Sequence, residues 1–412
     1  MSRIVVKFGG TSVANPERIE KAAMKVAAEV KRGHQVAVVV SAMAGMTNQL
    51  IDYCKQITPD YDESEHDAVV AAGEQIVAGL MAMALRKHGV TARSFQGWQV
   101  PILCDFNHRR ARIIDIPTAN IEAEFAMGSM PVIAGFQGVT AESDITTLGR
   151  GGSDTTAVAI AAALKADRCD IYTDVDGVYT TDPRVTPQAH KIDRISYEEM
   201  LELASLGAKV LHTRSVELAM AKQVPVQVLS SFDDAIGSDL PGTLVTKEED
   251  IVEQMIVNGV AFTRNEAKVT MRNVPDVPGV AANIFGPLAE ASLNVDMIVQ
   301  NISSDGKSTD MTFTVSREDL QKAIEILKKI PALNGIEIES DATVAKLSVV
   351  GIGMRSHSGV AQKMFRALAE KNINILVITT SEIKVSVLVS DEYVELGVRA
   401  LHTAFDLDAN AA

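Results

Sequence analysis

Arg3-Ile4-Val5-Val6-Lys7-Phe8-Gly9-Gly10-Thr11-Ser12 is the stretch on which the fold turns. Ile4 to Val6 is an apolar, β-branched run, the mark of a strand covered on both faces. It delivers Lys7 and then collapses into two glycines and two hydroxyls. Glycines let backbone N–H groups approach a bulky anion with no side chain between. A helix predicted from Pro16 adds the positive end of its dipole to that cradle. Lys7 is then a fixed positive charge at the end of the strand. This is equipment for nucleotide phosphates, but it is not the P-loop, in which the lysine follows the glycines.

Outward from that strand, residues 1 to about 230 alternate short apolar runs with amphipathic stretches. The pattern predicts strands at Ile4–Lys7, Gln35–Ser41, Ala92–Gln96, Met130–Gly135, Asp170–Thr173 and Val226–Leu229. It predicts helices at Pro16–Arg32, Thr47–Gln56, Ala68–Lys87, Ile116–Met127, Asp154–Lys165, Ser196–Ala204 and Thr213–Lys222. Such alternation implies an α/β fold, a three-layer α/β/α sandwich around a mainly parallel sheet. Ligands in these sheets bind beyond the carboxyl ends of the strands.

A second glycine-rich element lies at Thr146-Thr147-Leu148-Gly149-Arg150-Gly151-Gly152-Ser153-Asp154-Thr155-Thr156, ahead of an alanine-rich helix. Ser153 or Asp154 is the expected N-cap. Free N–H groups at the helix start suit an anion, and Arg150 offers a planar fork for a carboxylate. Asp154 is read as a carboxylate that orients Lys7. A third element, Ile171 to Arg184, ends a strand at Thr173-Asp174 and turns at Gly177. There Tyr179 offers a ring to a purine and Arg184 a charge to phosphates. Lys209, in Leu206-Gly207-Ala208-Lys209-Val210-Leu211-His212, is a candidate second phosphate lysine.

At 412 residues, 47% of them hydrophobic, the chain is long enough for two or three domains. Its formal charge of −14 and the lack of a basic stripe speak against a nucleic-acid partner. Cys54, Cys104 and Cys169 are odd in number and form no CxxC, which fits a reducing cytoplasm. The eight histidines show no ligand spacing, so no metal site is expected. The first strand begins within three residues, which leaves no room for a signal peptide. The longest apolar stretch, Gln75 to Leu85, is short of a membrane span. A cytoplasmic protein with no membrane partner is expected.

Ser231 to Asp250, polar and ending in Lys247-Glu248-Glu249-Asp250, reads as a linker. Beyond it the chain repeats itself. Gly279-Val280-Ala281, Phe285, Leu288-Ala289-Glu290 and Asn294 recur 80 residues on as Gly359-Val360-Ala361, Phe365, Leu368-Ala369-Glu370 and Asn374. Two strand–helix–strand–strand modules account for this. The expected domains are 1–245, 265–340 and 341–412, with 250–264 open to pairing into the last.

Lys7 through Val13, Gly149 through Thr155 and Tyr172 through Arg184 together resemble the aspartokinases, a branch of the amino-acid kinase family. The paired C-terminal modules resemble ACT domains, and the likeness runs over essentially the whole chain. Glycine loops alone would also admit glutamate 5-kinase, acetylglutamate kinase or UMP kinase. The Thr-Ser-Val after the first glycines, the Arg-Gly-Gly-Ser-Asp string and the double module favour aspartokinase. The resemblance implies ATP-dependent phosphorylation of L-aspartate with Mg²⁺, opening the route to lysine, threonine and methionine. It implies Lys7 and Asp154 as catalytic residues. Ser41, Thr47, Glu74, Arg150, Gly151, Gly152 and Ser153 would hold aspartate. Lys7, Phe8, Gly9, Gly10, Thr173, Asp174, Tyr179, Arg184, Lys209 and Val210 would hold ATP.

ACT modules resemble amino-acid sensors that grip a ligand at a loop before the first helix. Here that loop comprises Asp276, Val277, Pro278, Gly279, Val280 and Ala281, faced by Asn294, Asp296, Gln300, Asn301 and Ser303. The second copy, Met354 to Gly359, lacks the aspartate and the proline, so the two should not bind alike. The family suggests lysine and threonine as effectors, and a homo-oligomer or a complex with a shorter regulatory chain.

Overall fold

The computed structural model describes residues 2–207, 210–251, 255–302 and 307–408. They fall into two compact units: Met1–Val178 with Lys191–Ser205 and Lys209–Glu253, and Tyr179–His190 with Leu206–Ala208 and Gln254–Ala412.

The first unit is a three-layer α/β/α sandwich built on an eight-stranded sheet. The strand order is Arg194–Ser196, Thr243–Thr246, Val226–Ser230, Arg168–Thr173, Arg3–Phe8, Gln35–Val40, Met130–Ala134, Ala92–Phe95. The last six of these run parallel to one another, and Thr243–Thr246 runs against Val226–Ser230. Ile4, Val5, Val6 and Val36 to Val40 are all buried, as strands covered on both faces must be. Lys7 pairs in register with Val39 on one side and Ile171 on the other, at the carboxyl ends of three neighbouring strands. A smaller four-stranded sheet (Ile113–Asp115, Leu103–Cys104, Gln137–Val139, Ile145–Thr147) sits in the same unit. Its strands are two or three residues long, too short to show alternation in the sequence.

Four local expectations need correction. The helix expected over Ala68–Lys87 is two, Glu63–Val70 and Ala72–Lys87. The stretch Glu63–Lys87 is long and apolar enough to cross a membrane, contrary to the reading of Gln75–Leu85, but half of its most apolar window is buried inside the protein, as in a core helix. The third correction concerns the helix after the second glycine loop. It starts at Gly152, and its cap is Gly151 at φ 70° rather than Ser153 or Asp154. A side chain at Gly151 would collide with the His212 ring at 2.3 Å, so the turn is closed by packing as well as by backbone conformation.

The fourth is the supposed linker. Residues Ser231 to Thr246 belong to the first unit: Thr243–Thr246 is a sheet strand, and buried Glu29 accepts bonds from the Ser238 N–H and hydroxyl. Lys25 donates to the carbonyls of Asp233 and Ala235. Polarity there serves side-chain anchoring, which composition alone cannot tell from solvation.

In the second unit, six antiparallel strands form one sheet in the order Asp296–Ile302, Ser308–Val315, Gly259–Pro275, Glu337–Val350, Lys384–Ser390, Val377–Thr380. Gly259 pairs with Val350 and Arg272 with Glu337, so the two central strands join the repeats along nearly their whole length. Residues 259–263 pair with the first strand of the second module. The repeat is exact in its turning points: Gly279 and Gly359 both cap a helix at φ 91° and 96°, followed by Val280–Glu290 and Val360–Ala369.

Candidate active site

At the carboxyl ends of the parallel strands opens a cleft of about 1480 Å³, lined by residues from both glycine-rich turns. Lys7 Nζ lies 2.5 Å from Asp154 Oδ1, and both side chains are largely buried. Two segments nearly 150 residues apart in sequence thus meet as an ion pair. Asp154 can face Lys7 because the helix is capped by Gly151, which leaves the carboxylate free of a capping duty. Gly10 lines the cleft, and a side chain there would press on the Ala42 carbonyl at 3.0 Å.

Ser41, Thr47, Glu74, Arg150, Gly151, Gly152 and Ser153 line the same cleft. Glu74, on the helix Ala72–Lys87, is 3% exposed. Its Oε1 accepts the Ala42 N–H at 3.0 Å, while Oε2 has no partner among the described residues. Burial pushes its carboxyl up to about 7, against the smaller opposite pull of the Ala42 N–H. Arg150 is exposed to the cleft, and no partner for its guanidinium is seen among the described residues. The cleft therefore presents an orphaned acceptor, an uncommitted guanidinium and an ion pair.

Phe8, Gly9, Thr173, Asp174, Tyr179, Arg184 and Val210 are not among the residues that line this cleft. Phe8 is a core residue, 0% exposed and stacked on Tyr172 at 4.9 Å between ring centres. The Gly9 N–H donates to the Tyr172 carbonyl at 3.0 Å, so it has none to offer a phosphate. Thr173 ends the strand next to Arg3–Phe8 and Asp174 follows it, with the Thr173 hydroxyl donating to Asp174. Val210 is half-buried and outside the cleft lining. Tyr179 and Arg184 belong to the second unit, where the Arg184 fork is closed on Asp182 at 2.7 and 3.0 Å. Lys209 lies outside the described residues.

In the effector loop, Asp276, Val277, Pro278 and Gly279 are exposed, Val280 is buried and Ala281 half-buried. Asn294, Gln300 and Asn301 are exposed on the facing segment. Asp296 is committed: its Oδ2 lies 2.6 Å from Lys346 Nζ, which also holds Glu266 at 2.6 Å. Burial raises the Asp296 carboxyl, and Lys346 more than offsets this, leaving it below the usual range. Ser303 lies outside the described residues.

The cleft also contains residues that motif reading missed: His66, Arg109, Arg110, Arg112 and Arg214. The run Asn107-His108-Arg109-Arg110-Ala111-Arg112 carried a signal, three arginines in four residues, but a basic loop is ordinarily a solvated one.

Comparison with known proteins agrees with this architecture. The Amino acid kinase family model matches residues 2–230, and ACT domain models match 270–332 and 347–405. The aspartokinase of Pseudomonas aeruginosa is 56% identical over 414 residues, spanning 100% of this chain and 99% of that one. The aspartokinase of Corynebacterium glutamicum is 46% identical over 413 residues, spanning 99% and 97%. A crystal structure of E. coli aspartokinase III with aspartate and ADP, in the R-state, superposes with a TM-score of 0.76 at 28% identity, over 97% of this chain and 99% of that one. With both glycine turns at one cleft and two ACT modules following in the sequence, the chain belongs to the amino acid kinase family and, within it, to the aspartokinases.

Proposed function

We propose that the first unit transfers the γ-phosphoryl group of MgATP to the side-chain carboxylate of L-aspartate, giving 4-phospho-L-aspartate and ADP. The reaction would open the route to lysine, threonine and methionine, with feedback by lysine, threonine or both through the ACT modules. The observation that carries this reading is the charge pattern of the cleft. An orphaned Glu74 oxygen can take an ammonium and the Arg150 fork a carboxylate, with Lys7 left to face the phosphoryl group.

The chemistry asks little more. Above its pKa of roughly 3.9 the nucleophile is already an anion, so no strong base is needed. The difficulty is bringing one anion against another, which positioning and charge neutralisation overcome. Lys7 would neutralise charge on the transferring group, and Asp154, paired with the Lys7 ammonium, would hold it in place and help to hold the metal carried by the nucleotide. Ser41 and Thr47, which line the same cleft, would face the aspartate. No group of three or more His, Cys, Asp or Glu is gathered for a metal among the described residues. Thr173, Asp174, Tyr179, Arg184, Lys209 and Val210 remain the candidates for the rest of the nucleotide.

Trapping the acyl phosphate with hydroxylamine, with aspartate and glutamate offered in turn, tests the reaction. Hydroxamate from aspartate is expected, and hydroxamate from glutamate alone would overturn the reading. For regulation, Asp276 would take the effector's ammonium and the N–H groups at the start of Val280–Glu290 its carboxylate. Asp276→Ala should relieve inhibition by lysine or threonine and leave uninhibited turnover near normal; unchanged inhibition moves the effector elsewhere. Assembly with further copies, or with a shorter regulatory chain, is part of the same reading. Ile298 and Ile378, exposed at matching positions of the two modules, support it.

A further inference from the structure

Asp67 is fully buried on the short helix Glu63–Val70 and is not among the residues that line the cleft. Its Oδ2 accepts the Arg109 N–H at 2.7 Å and the Thr147 N–H at 2.8 Å, and its Oδ1 accepts the Thr147 hydroxyl at 2.7 Å. His66 and His108 lie against the same carboxylate at 3.2 and 3.4 Å. Across the same pair of segments stands Arg214, from the helix Thr213–Lys222. Its Nη1 donates to the Leu148 carbonyl at 2.8 Å and its Nη2 to the Ala111 carbonyl at 2.7 Å. Between them, the Ala111 N–H donates to the Thr147 carbonyl at 3.0 Å.

The two side chains divide the work by chemistry. A carboxylate only accepts and a guanidinium only donates, so Asp67 collects N–H groups and Arg214 collects carbonyls from the same two strands of backbone. Neither can be exchanged for the other. What they tie down is the root of the second glycine turn: Leu148 is followed directly by Gly149 and Arg150. Gly149 sits at φ 77° with the Arg109 carbonyl 3.0 Å from where a side chain would begin, so the segments are pressed together at that point.

We propose that Asp67 and Arg214 are positioning residues for the transfer. As a pair they fix the backbone of 109–111 and 147–148, and through it the place of the Arg150 guanidinium in the aspartate end of the cleft. The inference rests on the reading of Arg150 as the clamp for an aspartate carboxylate, and adds the machinery that aims it. A clamp displaced by about 1 Å loses much of its value, on the order of 10²-fold in the extreme.

The test compares steady-state constants of the full chain for Arg150→Ala, Asp67→Asn, Arg214→Met and the milder Arg214→Lys and Thr147→Val. Arg150→Ala is expected to raise the KM for aspartate by about tenfold or more. Asp67→Asn and Arg214→Met should each do the same, with the KM for ATP held within about twofold, because the defect is confined to one end of the cleft. Arg214→Lys, able to reach one carbonyl but not both, should fall between. Thr147→Val removes the hydroxyl bond and keeps the N–H bond, so it should show a small shift of the same kind even if Asp67→Asn does not fold.

The deciding arm places Arg214→Met, or the milder Arg214→Lys, in the Arg150→Ala background. A residue that acts through Arg150 should then change the KM for aspartate by less than about twofold. Full additivity in that background, or a KM for ATP that rises equally, would overturn the positioning role while leaving Arg150 as the clamp. An Arg150→Ala variant with an unchanged KM for aspartate would overturn both.

Discussion

In the first unit, Glu74 is buried with one oxygen unpartnered and Arg150 stands in the cleft with no partner among the described residues. In the second, Lys346 is just as deeply buried but is gripped by Glu266 on one side and Asp296 on the other. Burying a charge is costly unless a counter-charge comes with it. A buried charge left unmatched persists where a ligand will supply the match, whereas a matched one away from the cleft serves the fold. The difference separates a receiving site from a structural tie: Asp296 belongs to the strand Asp296–Ile302 and Lys346 to Glu337–Val350, so the bridge ties the two repeats together.

The comparison breaks most visibly at Lys346. Lys346→Met leaves Glu266, 9% exposed, with no counter-charge, and is expected to destabilise the full chain by about 3–5 kcal/mol. Asp296, half-exposed, should contribute little of this because solvent screens it. Unfolding of the full chain by heat or urea measures the loss. Adding Glu266→Gln to Lys346→Met should recover much of the stability, since the cost lies in the stranded charge. A single variant as stable as the parent would erase the proposed contrast.

Next in size are the two halves of the ion pair in the cleft. Lys7→Met and Asp154→Asn are each expected to lower kcat by roughly 10²–10³-fold, the scale for removing one electrostatic stabiliser. Because they act as a unit, the double variant should be only slightly slower than either single one. Either change also strands a largely buried partner, so a loss of stability is expected beside the loss of activity. Full activity in either single variant would remove that residue from the mechanism.

Much of this was legible from residue order. The strands Arg3–Phe8, Gln35–Val40 and Met130–Ala134 carry nearly unbroken apolar runs, as a doubly covered sheet requires, and the glycine turns sit where such strands end. Lys7, Asp154, Arg150 and Glu74 do share one cleft. What escaped was whatever depends on tertiary partners. Phe8 looks like part of a phosphate turn and is core, because its strand neighbour Tyr172 stacks on it. Asp67 and Arg214 belong to no motif, since most of the groups they hold are backbone atoms that any residue could supply. The polar run from Ser231 reads as a linker because sequence shows its polarity and hides Lys25 and Glu29, which bind it from another helix.

The smallest effect is the most diagnostic, because it asks whether Glu74 is waiting for a cation. With its carboxyl pushed up to about 7, the free enzyme carries a growing fraction of neutral Glu74 as pH falls below that value. An incoming ammonium favours the charged form, so binding must expel the proton. kcat/KM for aspartate, which reports the free enzyme, should therefore fall by about tenfold per pH unit below 7. The substrate's side-chain carboxylate, titrating near roughly 3.9, stays ionised through that window. Glu74→Gln should flatten the profile as well as weaken binding. Stability carries the same signature with a fixed sign. A carboxyl whose folded value lies above its ordinary 4.5 contributes stability that is complete below 4.5 and lost as pH rises through 7. Glu74→Gln should thus be the more stable protein at pH 8, by an amount on the order of 3 kcal/mol at most, and lose that advantage towards pH 5. A parent enzyme whose kcat/KM for aspartate stays level from pH 8 to pH 6 would show that Glu74 is matched from within, like Lys346, and the contrast between the two units would fail at its central residue.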